Sequence, residues 1–266
     1  MIEPIDDLVR FANRLADVSG DIVRPGFRVN RDVIIKPDQS PVTEIDRKVE
    51  TELRRLVENE FPDHGIIGEE FGDVRVDAEY VWIFDPIDGT KGFAAGLHHF
   101  GTLIALANGG KPVIGVLDQP ITNERWVGVQ GRPTTFNGKV IETRSCNHLP
   151  HAIMATSAPD YFHDGGWDAY KRLNEITRWT VYGAGCHGYA MLAAGFIDVA
   201  IEAGLDPFDY CALVPIVENA GGVITDWDGA RLTIHSGDRI IAAGDARIHH
   251  DALAVLQSTP DRISNP

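Results

Sequence analysis

The chain has 266 residues, 44% hydrophobic and 24% charged, a balance that suits one large globular domain or two smaller ones. Its formal charge of −15 argues against nucleic acid as a partner, because phosphate backbones select basic stripes, and no apolar run approaches the ~18–20 residues that span a bilayer. The first residues lack a basic stretch followed by an apolar core, so they do not read as a signal peptide. Cys146, Cys186 and Cys211 form no CxxC pair and read as buried small side chains, which leaves the cytoplasm as the expected compartment.

Ile5, Leu8, Ala12, Leu15 and Ile22 recur at mostly helical spacing and predict an amphipathic helix over 4–25. The stretch 36–43, with two prolines and no periodicity, reads as a loop. Val42, Ile45, Val49, Leu53 and Leu56 then predict a second helix ending near Phe61. From residue 66 the pattern shifts to short β-branched or aromatic runs at 66–67, 80–84, 102–107, 112–117 and 125–129, read as strands of one sheet, with a hairpin turn near Asn137 and Gly138. After about 148 the rhythm is α/β. Strands are expected at 152–156, 199–202, 223–225 and 240–243, and helices at 165–177, 186–195, 209–220 and 249–257, followed by a loose tail over 258–266. Pro215 should kink the third of these helices or cost it a hydrogen bond, and Gly221 and Gly222 close it.

The most informative stretch is an apolar strand running into Asp85-Pro86-Ile87-Asp88-Gly89-Thr90. Taken singly, Asp-Pro and Asp-Gly are common turns. Two carboxylates brought close repel, and one takes a proton unless a cation intervenes. Mg²⁺ accepts hard oxygen ligands and bridges to substrate phosphate, and the Gly89 and Thr90 amides with the Thr90 hydroxyl are suited to a phosphate.

With Gly68, Glu69 and Glu70, with Pro207, Phe208 and Asp209 before a helix ending at Gly222, and with Pro41, Val42, Thr43, Glu44, Ile45 and Asp46, this string resembles the inositol monophosphatase superfamily over nearly the whole chain. The resemblance implies a layered αβαβα sandwich of the inositol monophosphatase and fructose-1,6-bisphosphatase type. An α+β half, 1–145, would supply most metal ligands, and an α/β half, 146–266, would complete the cleft. It also implies an Mg²⁺-dependent phosphomonoesterase with two or three ions per site. Glu69, Asp85 and the Ile87 carbonyl would hold the first ion; Asp85, Asp88 and Asp209 the second; Glu69 would share a weaker third. Asp46 and Thr90 would orient or deprotonate a metal-bound water, Gly89 and Thr90 would cradle the phosphate, and Glu202 and Lys36 would lie on the substrate side. A homodimer is the family expectation.

Bland readings stand beside several of these. Asp46 could be a solvated helix position, Lys36 an ordinary loop lysine, Glu202 a solvated strand end and Asp209 a helix cap. His98, His99, His249 and His250 read as surface or packing residues, and His187 as a structural histidine. Within the superfamily, the stretches 36–43, 101–106 and 210–217 lean toward histidinol-phosphate phosphatases of histidine biosynthesis, and an acidic pocket around Glu202, with Asp206, suits a cationic alcohol. Gly185 departs from that branch, which usually carries an acid there. Inositol 1-phosphate and adenosine 3′,5′-bisphosphate are the alternative substrates, and a regulatory binding protein with a retained phosphatase fold is the alternative outside the enzymes.

Overall fold

A computed structural model describes residues 4–29, 34–35, 41–163 and 165–258. Lys36 and the tail beyond Ser258 lie outside the described residues. Helix α1 (Ile5–Gly26) buries Leu8, Phe11, Ala12, Leu15, Ala16, Ser19 and Val23 on one stripe, the geometry its spacing dictates. Strands β1 (Ile34–Ile35) and β2 (Pro41–Val42) pair antiparallel, so the expected loop over 36–43 ends in a short strand. Helix α2 (Glu44–Glu60) starts at a capping box, in which the Thr43 hydroxyl accepts from the Ile45 amide and Asp46 Oδ2 accepts from the Thr43 amide at 2.9 Å.

Strands β3 (Gly65–Gly68) and β4 (Tyr80–Asp88), helix α3 (Thr90–Ala94) and strands β5 (Gly101–Asn108), β6 (Lys111–Gln119), β7 (Glu124–Val129), β8 (Arg132–Phe136) and β9 (Lys139–Val140) follow. The strands form one seven-stranded sheet in sequence order, with β3 parallel to β4 and every later pair antiparallel. Asn137 and Gly138 take φ of 46° and 76° and join β8 to β9 by the expected two-residue turn.

The second sheet has strands β10 (Ile153–Thr156), β11 (Trp179–Tyr182), β12 (Val199–Glu202), β13 (Val223–Asp226) and β14 (Ile240–Ala243), in the order β11-β10-β12-β14-β13. Between them run α4 (Gly166–Ile176), α5 (Cys186–Ala193), α6 (Pro207–Tyr210) and α7 (Leu213–Glu218), and α8 (Ala246–Gln257) follows. The helix expected over 209–220 is two segments. Its backbone stays right-handed through Cys211 and Ala212, but Pro215 has no N–H to give the Cys211 carbonyl. Helix α8 begins three residues before its expected start, because Asp245 caps it by accepting from the Arg247 amide.

Side-chain alternation along the strands sorts the core into layers. On β4, Trp82 and Phe84 pack with α1 and α2, whereas Val81 and Ile83 pack with α5 and α7. On β14, Ile240 and Ala242 share that middle helical layer, while Ile241 and Ala243 face α4 and α8. The result is α1 and α2, the seven-stranded sheet, α5 to α7, the five-stranded sheet, then α4 and α8: the αβαβα sandwich. Among the described residues no helix is long and apolar enough to cross a membrane.

Two glycines let the middle layer seat on the first sheet. A Cβ at Gly115 would sit 1.9 Å from the Ala212 carbonyl oxygen, and one at Gly128 would sit 2.3 Å from the Ile216 nitrogen. Backbone cannot yield as a side chain can. Gly128→Ala is therefore expected to destabilise the fold by about 1–3 kcal/mol by overpacking, whereas Gly237→Ala, with nothing within 4 Å, stays within about 0.5 kcal/mol. Urea denaturation of both variants measures the difference; equal midpoints would contradict the close approach.

Candidate active site

Residues three apart on a regular strand face opposite sides of the sheet, so Asp85 and Asp88 need a reason to converge. The register supplies it. Asp85 pairs with Leu103 and Asp88 with Gly101, a shift that spends one extra residue on β4. Leu103 and Gly101 are two apart and share a face, so the bulge at Pro86 and Ile87 turns both carboxylates the same way. Proline suits the bulge because it offers no ladder donor. Its carbonyl accepts from the Thr102 hydroxyl at 2.8 Å, and Asp85 Oδ1 accepts from the Ile87 amide at 2.9 Å.

Asp209 arrives from the other sheet's side. Helix α6, which packs against β4 and β5, begins with Asp206 as its cap, and Asp209 Oδ2 accepts from the Asp206 amide at 2.7 Å. Asp209 thus completes the capping box of its helix and still presents its other oxygen. Carboxylate oxygens of Asp85, Asp88 and Asp209 lie within 4.8 Å of one another. Asp46, Glu69 and Glu70 form a second such group, so Glu69 falls in a cluster with Asp46 and Glu70, next to the one containing Asp85.

Burial, then the charges of Glu69, Asp88, Asp209 and Asp46, push the Asp85 carboxyl well up from its ordinary range. Burial and Asp88 do the same to Asp209, against the pull of the Asp206 amide. Among the described residues no lysine, arginine or histidine forms an ion pair with Asp85, Asp88 or Asp209. Hard oxygen donors held this close, without a side-chain cation, fit a divalent metal of the Mg²⁺ type.

Asp46 is fully buried and so is not a solvated helix position. Its Oδ2 is fixed by Thr43 and its Oδ1 faces the Thr90 hydroxyl at 3.4 Å. That hydroxyl also lies 3.0 Å from the Ile87 carbonyl oxygen, so one proton has two acceptors. Gly89 takes φ 89°, and a Cβ there would meet the His99 carbonyl oxygen at 2.7 Å. Only glycine fits, and α3 starts beside it with first-turn amides that have no intrahelical acceptor.

Glu202, at the end of β12, is 3% exposed, which removes its reading as a solvated strand end. Oε1 accepts from the Ser157 amide at 2.5 Å, and Oε2 faces the Thr156 hydroxyl at 3.4 Å. Burial, opposed by the Ser157 hydrogen bonds and reinforced by Asp88, pushes its carboxyl up to about 8. Gly185 caps α5 with φ 49°, and a Cβ there would lie 3.2 Å from Asp88 Oδ2 and 4.0 Å from Ser157 Oγ. The next amide, that of Cys186, donates to Asp88 Oδ2 at 2.9 Å. Asp206 is exposed and serves as the cap of α6. His98 and His99 are exposed and His249 bonds Thr225 inside the core; none joins the carboxylates.

Glu50 was missed in the sequence. It is fully buried, accepts from the Glu70 and Phe71 amides at 2.7 and 3.2 Å, and is paired with Arg54, so it holds the turn that carries Glu69. A Cβ at Gly68 would collide with its Oε1. The signal was an acid on the apolar stripe of α2, beside Val49 and Leu53.

The five-layer sandwich with carboxylates gathered where β4 ends is the scaffold of a phosphatase. The chain belongs to the inositol monophosphatase family, whose sequence pattern matches residues 5–260. It is 45% identical over 263 residues to the bifunctional phosphatase IMPL2, chloroplastic, of Arabidopsis thaliana, covering 94% of this chain and 76% of that protein. It is 31% identical over 256 residues to a histidinol-phosphatase of Chlorobaculum parvum, covering 96% and 98%. A solved inositol monophosphatase from Zymomonas mobilis superposes with a TM-score of 0.89 at 45% identity, covering 96% of this chain and 100% of that one.

Acids whose native pKa is raised contribute stability below their unfolded pKa that is lost as pH rises through the native value. A cation displaces those protons, so its stabilisation should grow with pH. Mg²⁺ at a hundred times its Kd is expected to raise the Tm of metal-free protein by about 5–10 °C at pH 8 and by less at pH 6. Scanning calorimetry at both values checks this; a Tm indifferent to Mg²⁺ would contradict the fit.

Proposed function

We propose that the chain is an Mg²⁺-dependent phosphomonoesterase that hydrolyses L-histidinol phosphate to L-histidinol and inorganic phosphate, with two or three ions per site. Residues 1–145 and 146–266 act as two halves around the cleft. The observation that carries the substrate is Glu202: a buried carboxyl on which the charge of Asp88 bears suits an ammonium or imidazolium group. A relative covering nearly the whole chain is named a histidinol-phosphatase.

In this reading Asp85, Asp88, Asp209, Glu69 and the Ile87 carbonyl hold the ions. Bound Mg²⁺ would polarise the attacking water and offset phosphate charge. The Gly89 and Thr90 amides orient the phosphate oxygens. Thr90, steadied between Asp46 and the Ile87 carbonyl, positions the water, and Asp46 receives its proton. Water attacks phosphorus in line, the ester P–O bond breaks, and the departing oxygen takes a proton from solvent water, so that the alcohol leaves past Glu202. No serine or cysteine nucleophile is needed; all three cysteines are buried.

A second reading, inositol 1-phosphate, is favoured by Gly185. An acid there would put a charge against Asp88, and glycine leaves that corner open, as a bulky neutral polyol would require. Similarity to the Zymomonas enzyme points the same way.

Phosphate release from histidinol phosphate, inositol 1-phosphate, adenosine 3′,5′-bisphosphate and glycerol 2-phosphate, with Mg²⁺ and with EDTA, separates the readings. Histidinol phosphate is expected to lead in kcat/KM by about a hundredfold, roughly 2.7 kcal/mol, and EDTA to abolish turnover. Asp88→Asn should lose several orders of magnitude in rate and keep the fold. A lead for inositol 1-phosphate replaces the substrate, EDTA-resistant release overturns the metal role, and no release from any ester in the panel leaves a binding protein.

A further inference from the structure

Two buried side-chain polar atoms among the described residues have no hydrogen-bond partner: Trp126 Nε1 and the Tyr189 hydroxyl. Tyr189 is 2% exposed and stands beside the site. It lies on α5 three residues after Cys186, whose amide holds Asp88, and α5 packs against β12, which ends at Glu202. A buried hydroxyl left without a partner costs more than one hydrogen bond returns, so a native structure that keeps one calls for an explanation. The charges that bear on this phenol are, in order, Glu202, Asp88 and Asp209, all of them acceptors.

Glu202 has the complementary deficit. An ionised carboxylate offers about four acceptor positions. Glu202 receives the Ser157 amide on Oε1 and a further hydrogen bond from the Ser157 hydroxyl, while the Thr156 hydroxyl stands 3.4 Å from Oε2, the limit of a hydrogen bond, so room for one more donor is left. Asp88 already accepts from Cys186, and Asp209 from Asp206. The charged groups facing the pair are therefore Asp88 on β4 and Asp209 on α6, both acids. Neither helps Glu202 to carry a charge.

We propose that Tyr189 is the positioning residue of Glu202: with a cationic alcohol bound, its O–H donates to Glu202 Oε2 and holds the carboxylate ionised and aimed at that cation. This rests on the cationic-alcohol reading above. A residue placed only for packing would affect every substrate alike, and loss of its unpartnered hydroxyl would leave the fold unharmed.

The test is Tyr189→Phe at saturating Mg²⁺, with kcat and KM measured on histidinol phosphate and glycerol 2-phosphate from pH 6 to 9, and Tm alongside. KM for histidinol phosphate should rise about tenfold with kcat little changed, and the rise of kcat/KM with pH should move up by about one unit, as expected for loss of one charge-assisted hydrogen bond. Glycerol 2-phosphate should stay within about twofold and Tm should hold or rise. In a Glu202→Gln background, Tyr189→Phe should add nothing. Equal losses on both substrates, additive losses in the double variant, or an unmoved KM and pH limb for histidinol phosphate would overturn the assignment. If wild type prefers histidinol phosphate and Tyr189→Phe keeps that preference, only the role of Tyr189 falls; if wild type is indifferent to cationic alcohols, the substrate reading falls with it.

Discussion

One extra residue in β4 is the constraint on which the centre depends. Without the bulge at Pro86 and Ile87, Asp85 would face the middle layer and Asp88 the opposite side. With it, the two carboxylates share a face, and the chain leaves the sheet directly into Gly89 and α3. Everything else is brought to that point. Helix α6 delivers Asp209 beside β4, α5 gives its first amide to Asp88, and the capping box of α2 turns Asp46 inward. The acids come from elements far apart in sequence, so their mutual repulsion is imposed by the fold. Burying carboxylates against one another is costly unless protons or a cation intervene. The same arrangement thus fits a divalent cation, whose charge would offset the repulsion.

A protein of charge −15 also needs cations between itself and a phosphate ester, since its own field repels the substrate. Among the described residues, Arg125 pairs with Asp118 and Asp17, and Arg144 with Asp198, all away from Asp85, Asp88 and Asp209. Glu50 is an inner exception, neutralised by Arg54 at 2.7 Å, and its task is to fix the turn bearing Glu69.

Much of this was legible in the sequence because it rests on periodicity. The apolar stripe of α1 and the doubly buried run of β4 announce their layers, and the acidic string at 85–88 announces the chemistry. What escaped rests on contacts that no local pattern encodes. Strand β11 leaves Trp179, Val181 and Tyr182 half exposed at a sheet edge, and β8 and β9 are short with polar residues, so neither looks like a buried strand. The bulge is invisible because a proline between two acids reads equally as a turn. Asp46, assigned to the site by resemblance, could by itself equally have been a solvated helix position, since its burial rests on the capping box, and the burial of Glu202 depends on β10, β14 and α5 closing around it. Gly115 and Gly128 lie within strands that sequence located, yet their purpose, contact with α7, appears only in three dimensions.

Crystals soaked in Mn²⁺, a scatterer that stands in for Mg²⁺, give the most direct measurement of the central claim. Anomalous difference density should place an ion within about 2.0–2.4 Å of carboxylate oxygens from Asp85, Asp88 and Asp209 together, and Asp88→Asn should lose that peak while the β4 bulge remains. Saturating Mn²⁺ with no peak between these three residues would contradict the account.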